Sequence, residues 1–223
     1  RHMGIISVEQ VDHLYWLGRY TERVYTTLNL FAKSFDMMID ADEDIYQRYC
    51  DSLDIPNIYE SKEDFLKRYP FDDTISDSII SNLNRAYDNA IVLRETIGSD
   101  ALSYIQMSIY AMNNAAKSDS PLIELQQIMD EILSFWGLVD DQIDVEQIRN
   151  IIKAGKRIER IDLYARLKLD KNKLQREIQR MIPRVLRSGI KYNEASLSSV
   201  STLINENVTD YKGIIANVEA IIA

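Results

Sequence analysis

Two six-residue segments place chemistry-bearing side chains at matched spacing: Gly18-Arg19-Tyr20-Thr21-Glu22-Arg23 and Gly155-Lys156-Arg157-Ile158-Glu159-Arg160. In each, a glutamate lies four residues after a glycine and is followed directly by arginine. Positions four apart share one side of a helix, so the glutamate flanks whatever approaches the glycine. A helical glycine costs ~1 kcal/mol relative to alanine, which predicts a compensating close approach by another helix or a ligand. A carboxylate at the edge of that approach is half buried and needs partners, because an unpaired one is expensive or takes up a proton. Arg19 lies within one turn of Glu22, and Lys156 stands in the same relation to Glu159. Arg23 and Arg160 point further round, towards a different helix or a ligand. Three chemistries fit the pattern: an inter-helix salt-bridge network that fixes register, a site for an anion or peptide carboxylate, and general-base catalysis by Glu22 or Glu159.

The residues around the two segments add candidates and remove others. Tyr15, Trp16 and Tyr20 span more than one helix face, so at least one belongs at the surface or an interface. Lys153, Lys156, Arg157 and Arg160 form a basic strip suited to phosphate or a carboxylate-rich partner, or else a solvated helix face. A di-iron bundle site is excluded, because it wants Glu-x-x-His on two helices and the residue three before His13 is Gln10. Ala154-Gly155-Lys156-Arg157 lacks the upstream glycine and the following Ser or Thr of a phosphate loop. Cys50 sits among acids, which raise a thiol pKa and discourage nucleophilic use. Asp140, Asp141 and Asp144 read as helix caps before they read as a cation site. No metal and no cofactor is implied.

Apolar spacing supplies the elements that position these residues. From Val8 to about Ile39 a seam of Val11, Leu14, Gly18, Thr21, Tyr25, Leu28, Ala32, Phe35 and Ile39 predicts one long helix against a partner. Short helices are expected at 45–53 and 62–69, ended by Pro70, with Asp72 or Asp73 capping a helix that runs to about Ile97. Gly98 stops that helix and Ser99 caps another to about Ala116. Pro121 starts a helix to Trp136, where Gly137 permits a break. Asp144 caps a second long helix with the seam Ile148, Ile151, Gly155, Ile158, Asp162, Ala165 and Leu169. A helix over 172–187 is expected to kink or end at Pro183, and a helical pair covers 196–222. No strand pattern appears, so the fold class is all-α: a helical bundle with two long, antiparallel-capable, motif-bearing helices and shorter packed helices.

Bulk composition bounds the function classes. Of 223 residues, 46% are hydrophobic and 27% charged, a globular balance. A net charge of −9 disfavours nucleic acid and anionic membrane as partners. Acids crowd the stretch from Asp36 to Asp77 and bases dominate from Arg149 to Lys191, two regions able to attract one another within the fold. One cysteine excludes a disulfide framework and points to a reduced, cytoplasmic setting. Arg1, His2 and Met3 have the look of a cloning scar, and Gly4 to Ser7 is too short an apolar run for a signal peptide.

The longer motifs resemble a known family, the alpha-E domain proteins (DUF403), named for a Glu-Arg motif. The matching residues are Leu14-Tyr15-Trp16-Leu17-Gly18-Arg19-Tyr20-Thr21-Glu22-Arg23, then Trp136-Gly137-Leu138-Val139-Asp140-Asp141 leading into Gly155 to Asp162 and Ala165-Arg166-Leu167. Asn84-Arg85-Ala86 and Leu93-Arg94-Glu95-Thr96-Ile97 resemble the middle helix of that family. Val24 and Tyr25 depart from it, since a small residue and an acid usually follow the first motif. The resemblance divides the chain into an alpha-E-like bundle over 4–170 and C-terminal helices over 171–223 without a clear match. It implies partnership with ATP-grasp peptide ligases or transglutaminase-like proteins, sometimes near a proteasome-like peptidase, in peptide synthesis or modification.

The sequence reading is therefore a non-catalytic binding or scaffold protein in such a system, with an enzyme using Glu22 or Glu159 as base as one alternative. A structural oligomer with register-fixing Glu-Arg pairs is the other. Candidate binding residues are Tyr15, Trp16, Arg19, Glu22, Arg23, Arg157, Glu159, Arg160, Asp162 and Arg166. The expected partners are a protein, with a peptide or carboxylate as ligand, and a homo-oligomer is compatible with the pattern.

Overall fold

The structure, a computed structural model, describes residues 6–40, 44–204 and 207–222. Arg1 to Gly4, which include the scar, lie outside the described residues. These fold into eleven helices, with no strand among the described residues: α1 (Val8–Asp40), α2 (Ile45–Leu53), α3 (Lys62–Arg68), α4 (Ile79–Val92), α5 (Arg94–Ile97), α6 (Ser99–Ala115), α7 (Pro121–Gln142), α8 (Glu146–Arg166), α9 (Lys171–Arg187), α10 (Glu194–Ile204) and α11 (Tyr211–Ala220). None of them is long and apolar enough to cross a membrane.

The helices close into two rings of four. In the first, α1, α4, α6 and α7 pack in sequence; in the second, α8, α9, α10 and α11 do the same. The rings meet along α1 and α8, the most extensive helix–helix contact in the molecule. Each ring thus offers its own motif-bearing helix to the other. The two helices, antiparallel-capable by sequence, run parallel, because their contacts advance together along both helices. A side chain at Gly18 would strike the backbone at Ile152 and Lys156, Glu22 pairs with Arg160, and Leu30 shares a cleft with Leu167.

Glycine is what lets them touch. A Cβ on Gly18 would overlap the Ile152 carbonyl oxygen, and a Cβ on Gly155 would overlap the Tyr15 carbonyl oxygen. The contact is reciprocal and backbone to backbone, so no side-chain rotation can relieve it. Of the α1 seam Leu14, Gly18, Thr21 and Leu28 are buried and Val11 and Tyr25 half-buried, and beyond Leu28 it drifts: Phe31, Ser34 and Met38 are buried, whereas Ile39 is half exposed. A straight helix departs from a strict seven-residue repeat by ~20° per heptad, which carries the seam round over this length.

Several expected boundaries move. Ser78, not Asp72 or Asp73, caps α4 by accepting from the Ser81 amide, while Asp72 holds a turn at Thr74. Leu93 interrupts the helix before Ile97, and neither Ser99 nor Asp144 makes a side-chain cap. α7 continues through Gly137 and α9 through Pro183, because Phe135, Trp136 and Val139 on one and Met181 and Val185 on the other stay buried against neighbours. At the far end of α1 an aromatic group of Phe31, Tyr46, Tyr49, Tyr59, Phe65 and Tyr69 seats α2 and α3. Arg166 of the basic region reaches Asp54 of the acidic one at 3.5 Å. Within the acidic region Arg68 pairs locally with Asp64 and Asp72.

Gly18→Ala and Gly155→Ala are each expected to destabilise the fold by about 1–3 kcal/mol despite their higher helix propensity, because the helices must separate. Gly137 is exposed with nothing within 4 Å of an added Cβ, so Gly137→Ala should stabilise by ~0.5–1 kcal/mol. Thermal denaturation of the three variants checks the opposite signs.

Candidate functional site

Four residues beyond each glycine, the glutamate enters a fork supplied by the other helix. Glu159 accepts from Arg23 Nε at 2.5 Å on one oxygen and from Arg19 Nε at 2.5 Å on the other. Glu22 accepts from Arg160 Nε at 2.7 Å and from the Thr26 hydroxyl at 3.0 Å. The pairs cross: the glutamate of each Glu-Arg step binds the arginine of the opposite step. The expected local pairs, Arg19 with Glu22 and Lys156 with Glu159, do not form, because the parallel helix brings a better-placed partner to each carboxylate. The two glutamates are also buried rather than half buried, at 0% and 2% exposure. Bidentate guanidinium–carboxylate geometry makes that burial tolerable.

Around the Glu159 fork the network extends. Arg19 donates to the Tyr15 hydroxyl at 2.9 Å and lies over the Trp16 ring. Asp162 accepts from Arg166 Nε at 2.7 Å, and Arg166 reaches on to Glu219 at 2.8 Å. Around the Glu22 fork, Arg157 donates to Glu177 at 2.9 Å. The ten sequence candidates thus fall into two groups at the seam of the two rings, Tyr15, Trp16, Arg19, Arg23, Asp162 and Arg166 around Glu159, and Arg157 and Arg160 with Glu22. Of the aromatic set, Tyr15 is buried, while Trp16 and Tyr20 are half-buried and stack on each other. Glu177, Thr26 and Glu219 were missed. Glu177 carried a signal, since it occupies the apolar face of its helix beside Leu174, Ile178 and Met181.

The basic strip is not a solvated face. Lys153 is buried and holds Asp140 at 2.8 Å, the partner that makes its burial possible. Lys156 is buried with its ammonium 4.4 Å from the Trp136 ring centre. His13 bonds Asn89, and Cys50 is fully buried, its thiol pushed up to about 11 by burial first and Asp51 second. Among the described residues no group of three or more His, Cys, Asp or Glu has the geometry to hold a metal ion.

The match of a family model to residues 9–204, described as a predicted alpha-helical domain with a conserved ER motif, covers most of the chain. The protein belongs to the Alpha-E family. The match continues past Leu169, where the motif resemblance stopped, and takes in α9 and α10. Comparison with curated proteins finds no match, and neither does comparison with solved structures. In this Alpha-E chain the Glu-Arg step occurs twice, at 22–23 and 159–160, and the geometry explains the pair of residues. Glutamate fills the fork of the opposite helix while the arginine beside it makes the opposite fork.

Electrostatics differ across the cluster. Burial would raise the Glu159 carboxyl, but Arg19 and Arg23 outweigh it and hold the group below the usual carboxylate range. Asp162 is pushed up to about 6 by burial and then by the charge of Glu159, with Arg166 opposing. Lys156 is pushed down to about 7, mainly by burial; Glu22 opposes this, and Arg157, Arg160 and Lys153 add to it. Asp162 and Glu159 line a cleft of about 240 Å³ that also takes in Arg23, Asp54, Asp77 and Glu219. Arg19 and Arg166 line it too, yet their donors are spent on carboxylates and Tyr15. Among the described residues Arg23 Nη1 makes no hydrogen bond, its Nε and Nη2 being turned to Glu159.

Glu159→Ala leaves two arginines facing an empty fork and should cost about 3–5 kcal/mol in chemical denaturation. Lys156→Met should stabilise by about 1–4 kcal/mol at neutral pH. The unfolded lysine titrates near 10.5 and the folded one near 7, so between these values only the unfolded chain keeps the proton. Stability therefore rises with pH across that window in the wild type, and denaturation from pH 7 to 10 should show a flatter profile in Lys156→Met.

Proposed function

We propose that this Alpha-E protein is a non-catalytic binding scaffold that takes a short peptide, by both its charged ends, in the cleft beside the Glu159 fork. The supporting observation is that both motif glutamates are fully engaged by arginine, which leaves them structural, while a cleft opens next to one of them. Arg23 offers a guanidinium edge to a carboxylate, and Asp54, Asp77 and Glu219 offer carboxylates to an ammonium. A zwitterionic peptide end matches that arrangement better than a simple anion, because acids outnumber unspent cations in the lining. In this reading the protein works with an ATP-grasp peptide ligase or a transglutaminase-like protein, presenting the peptide that such an enzyme extends or modifies. The family resemblance supports that partnership.

One observation favours a second reading. Asp162, pushed up to about 6 in the same cleft, is suited to proton transfer near neutral pH, unlike Glu159, which Arg19 and Arg23 hold below the usual carboxylate range. An enzyme of amide chemistry would then use Asp162 in place of the motif glutamates.

Titration calorimetry with di- and tripeptides tests the scaffold reading. Binding by the wild type, weakened about tenfold or more in Asp54→Asn/Asp77→Asn, is the expected result. Absence of peptide binding, together with no recovery of a ligase or transglutaminase-like protein from native extract, removes it. Peptide turnover that disappears in Asp162→Asn and follows a pH limb near 6 would establish the enzyme instead.

A further inference from the structure

The Glu22 fork also has a cleft beside it, and its character is opposite. It measures about 310 Å³ and is lined by Thr26 and Lys33 of α1, Tyr164 and Leu167 at the end of α8, and Lys173 and Arg176 of α9. Thr26 donates to Glu22, and Glu177, which also lines the cleft, binds Arg157, Arg160 and Arg180. Lys33, Lys173 and Arg176 line the cleft itself, and Arg157, Arg160 and Arg180 stand behind it on the buried carboxylate of Glu177. In a chain of net charge −9 that is a concentrated local excess of positive charge.

Three of those cations are uncommitted. Among the described residues, the side chains of Lys33, Lys173 and Arg176 make no hydrogen bond, ion pair or ring contact, and all three are exposed at the cleft. Asp170 accepts from the Lys173 amide as the cap of α9, so it engages backbone rather than the ammonium. Lys33 stands on one wall, while Lys173 and Arg176 stand on the other. Between them runs an apolar floor of Leu30, Leu167 and Leu169. Leu30 and Leu167 are shared with a second depression of about 290 Å³, which continues past Met37 and Ile45. The two form one groove, with cations at the α9 end and Arg48 lining the other end beside its apolar side chains.

From this arrangement we infer that the groove beside the Glu22 fork binds an acidic peptide segment, with carboxylates on Lys33, Lys173 and Arg176 and an apolar side chain on Leu30 and Leu167. Separated cations on facing walls suit an extended chain with several carboxylates. The uncommitted bases give attraction, and the apolar floor gives the contact that distinguishes one acidic chain from another. The site is independent of the peptide cleft proposed above, since it lies at the other fork and shares no lining residue with it.

Fluorescence anisotropy with a short labelled peptide of glutamates interrupted by leucines is the test, on the full chain. The wild type should bind it, and Lys173→Glu/Arg176→Glu should weaken binding about tenfold or more with an unchanged melting temperature, both residues being exposed. A peptide of glutamates alone should bind more weakly than the leucine-containing one, and Asp54→Asn/Asp77→Asn should bind the labelled peptide as the wild type does. Equal affinity in wild type and Lys173→Glu/Arg176→Glu overturns the inference. So does loss of binding in Asp54→Asn/Asp77→Asn, which would put the peptide in the other cleft. Full displacement of the peptide by inorganic phosphate, or stronger binding to vesicles of anionic lipid, overturns it as well.

Discussion

Everything in this molecule is arranged around one backbone-to-backbone contact, at Gly18 and Gly155. Two parallel helices approach there so closely that neither position accommodates a Cβ. The approach fixes the register, and the register alone brings each glutamate to the arginines of the opposite helix. Were the helices a side chain further apart, Arg19 and Arg23 would not reach Glu159, and the buried charges would have no compensation.

The crosswise forks then determine what the seam can do. Glu159, held by two guanidinium groups, is a poor base, because its charged form is the stabilised one. The forks act as fixed charges that join two four-helix rings, and the chemistry left over lies beside them. Each fork borders a cleft, and the two clefts differ through what the second ring contributes. At the Glu159 side, α11 brings Glu219 and the turn after α2 brings Asp54, giving an acidic rim around Arg23. At the Glu22 side, α9 brings Lys173 and Arg176. A near-symmetric core is thereby given two unlike surfaces.

Buried charge also carries tension. Lys156 sits over Trp136 without a hydrogen-bond acceptor among the described residues, so its ammonium is held by a ring face and the distant charge of Glu22. Asp162 is displaced the other way by its neighbour Glu159. Both follow from placing seven or more ionised groups in one seam, where every gain for one carboxylate is a loss for the next. Binding sites are built from such groups, since a ligand supplies the compensation that the fold does not.

The sequence by itself determined the fold class, the helices that carry the motifs and the identity of the charged cluster. Periodicity marks a helix whatever its partner, and a glycine four residues before a buried-type glutamate announces a close approach. It also determined the family, through the same residues. Only the tertiary structure decided that α1 and α8 run parallel, that Arg19 serves Glu159 instead of Glu22, and that Glu177 joins the Glu22 side. Local spacing favours partners within a turn, and a helix from the other ring outbids them by geometry no one-dimensional pattern contains. The boundaries at Gly137 and Pro183 went the same way: local propensity weakens the helix there by an amount that burial of Trp136, Val139, Met181 and Val185 exceeds. The clefts were invisible in sequence for the same reason, because each is a property of three or four helices meeting and not of any one.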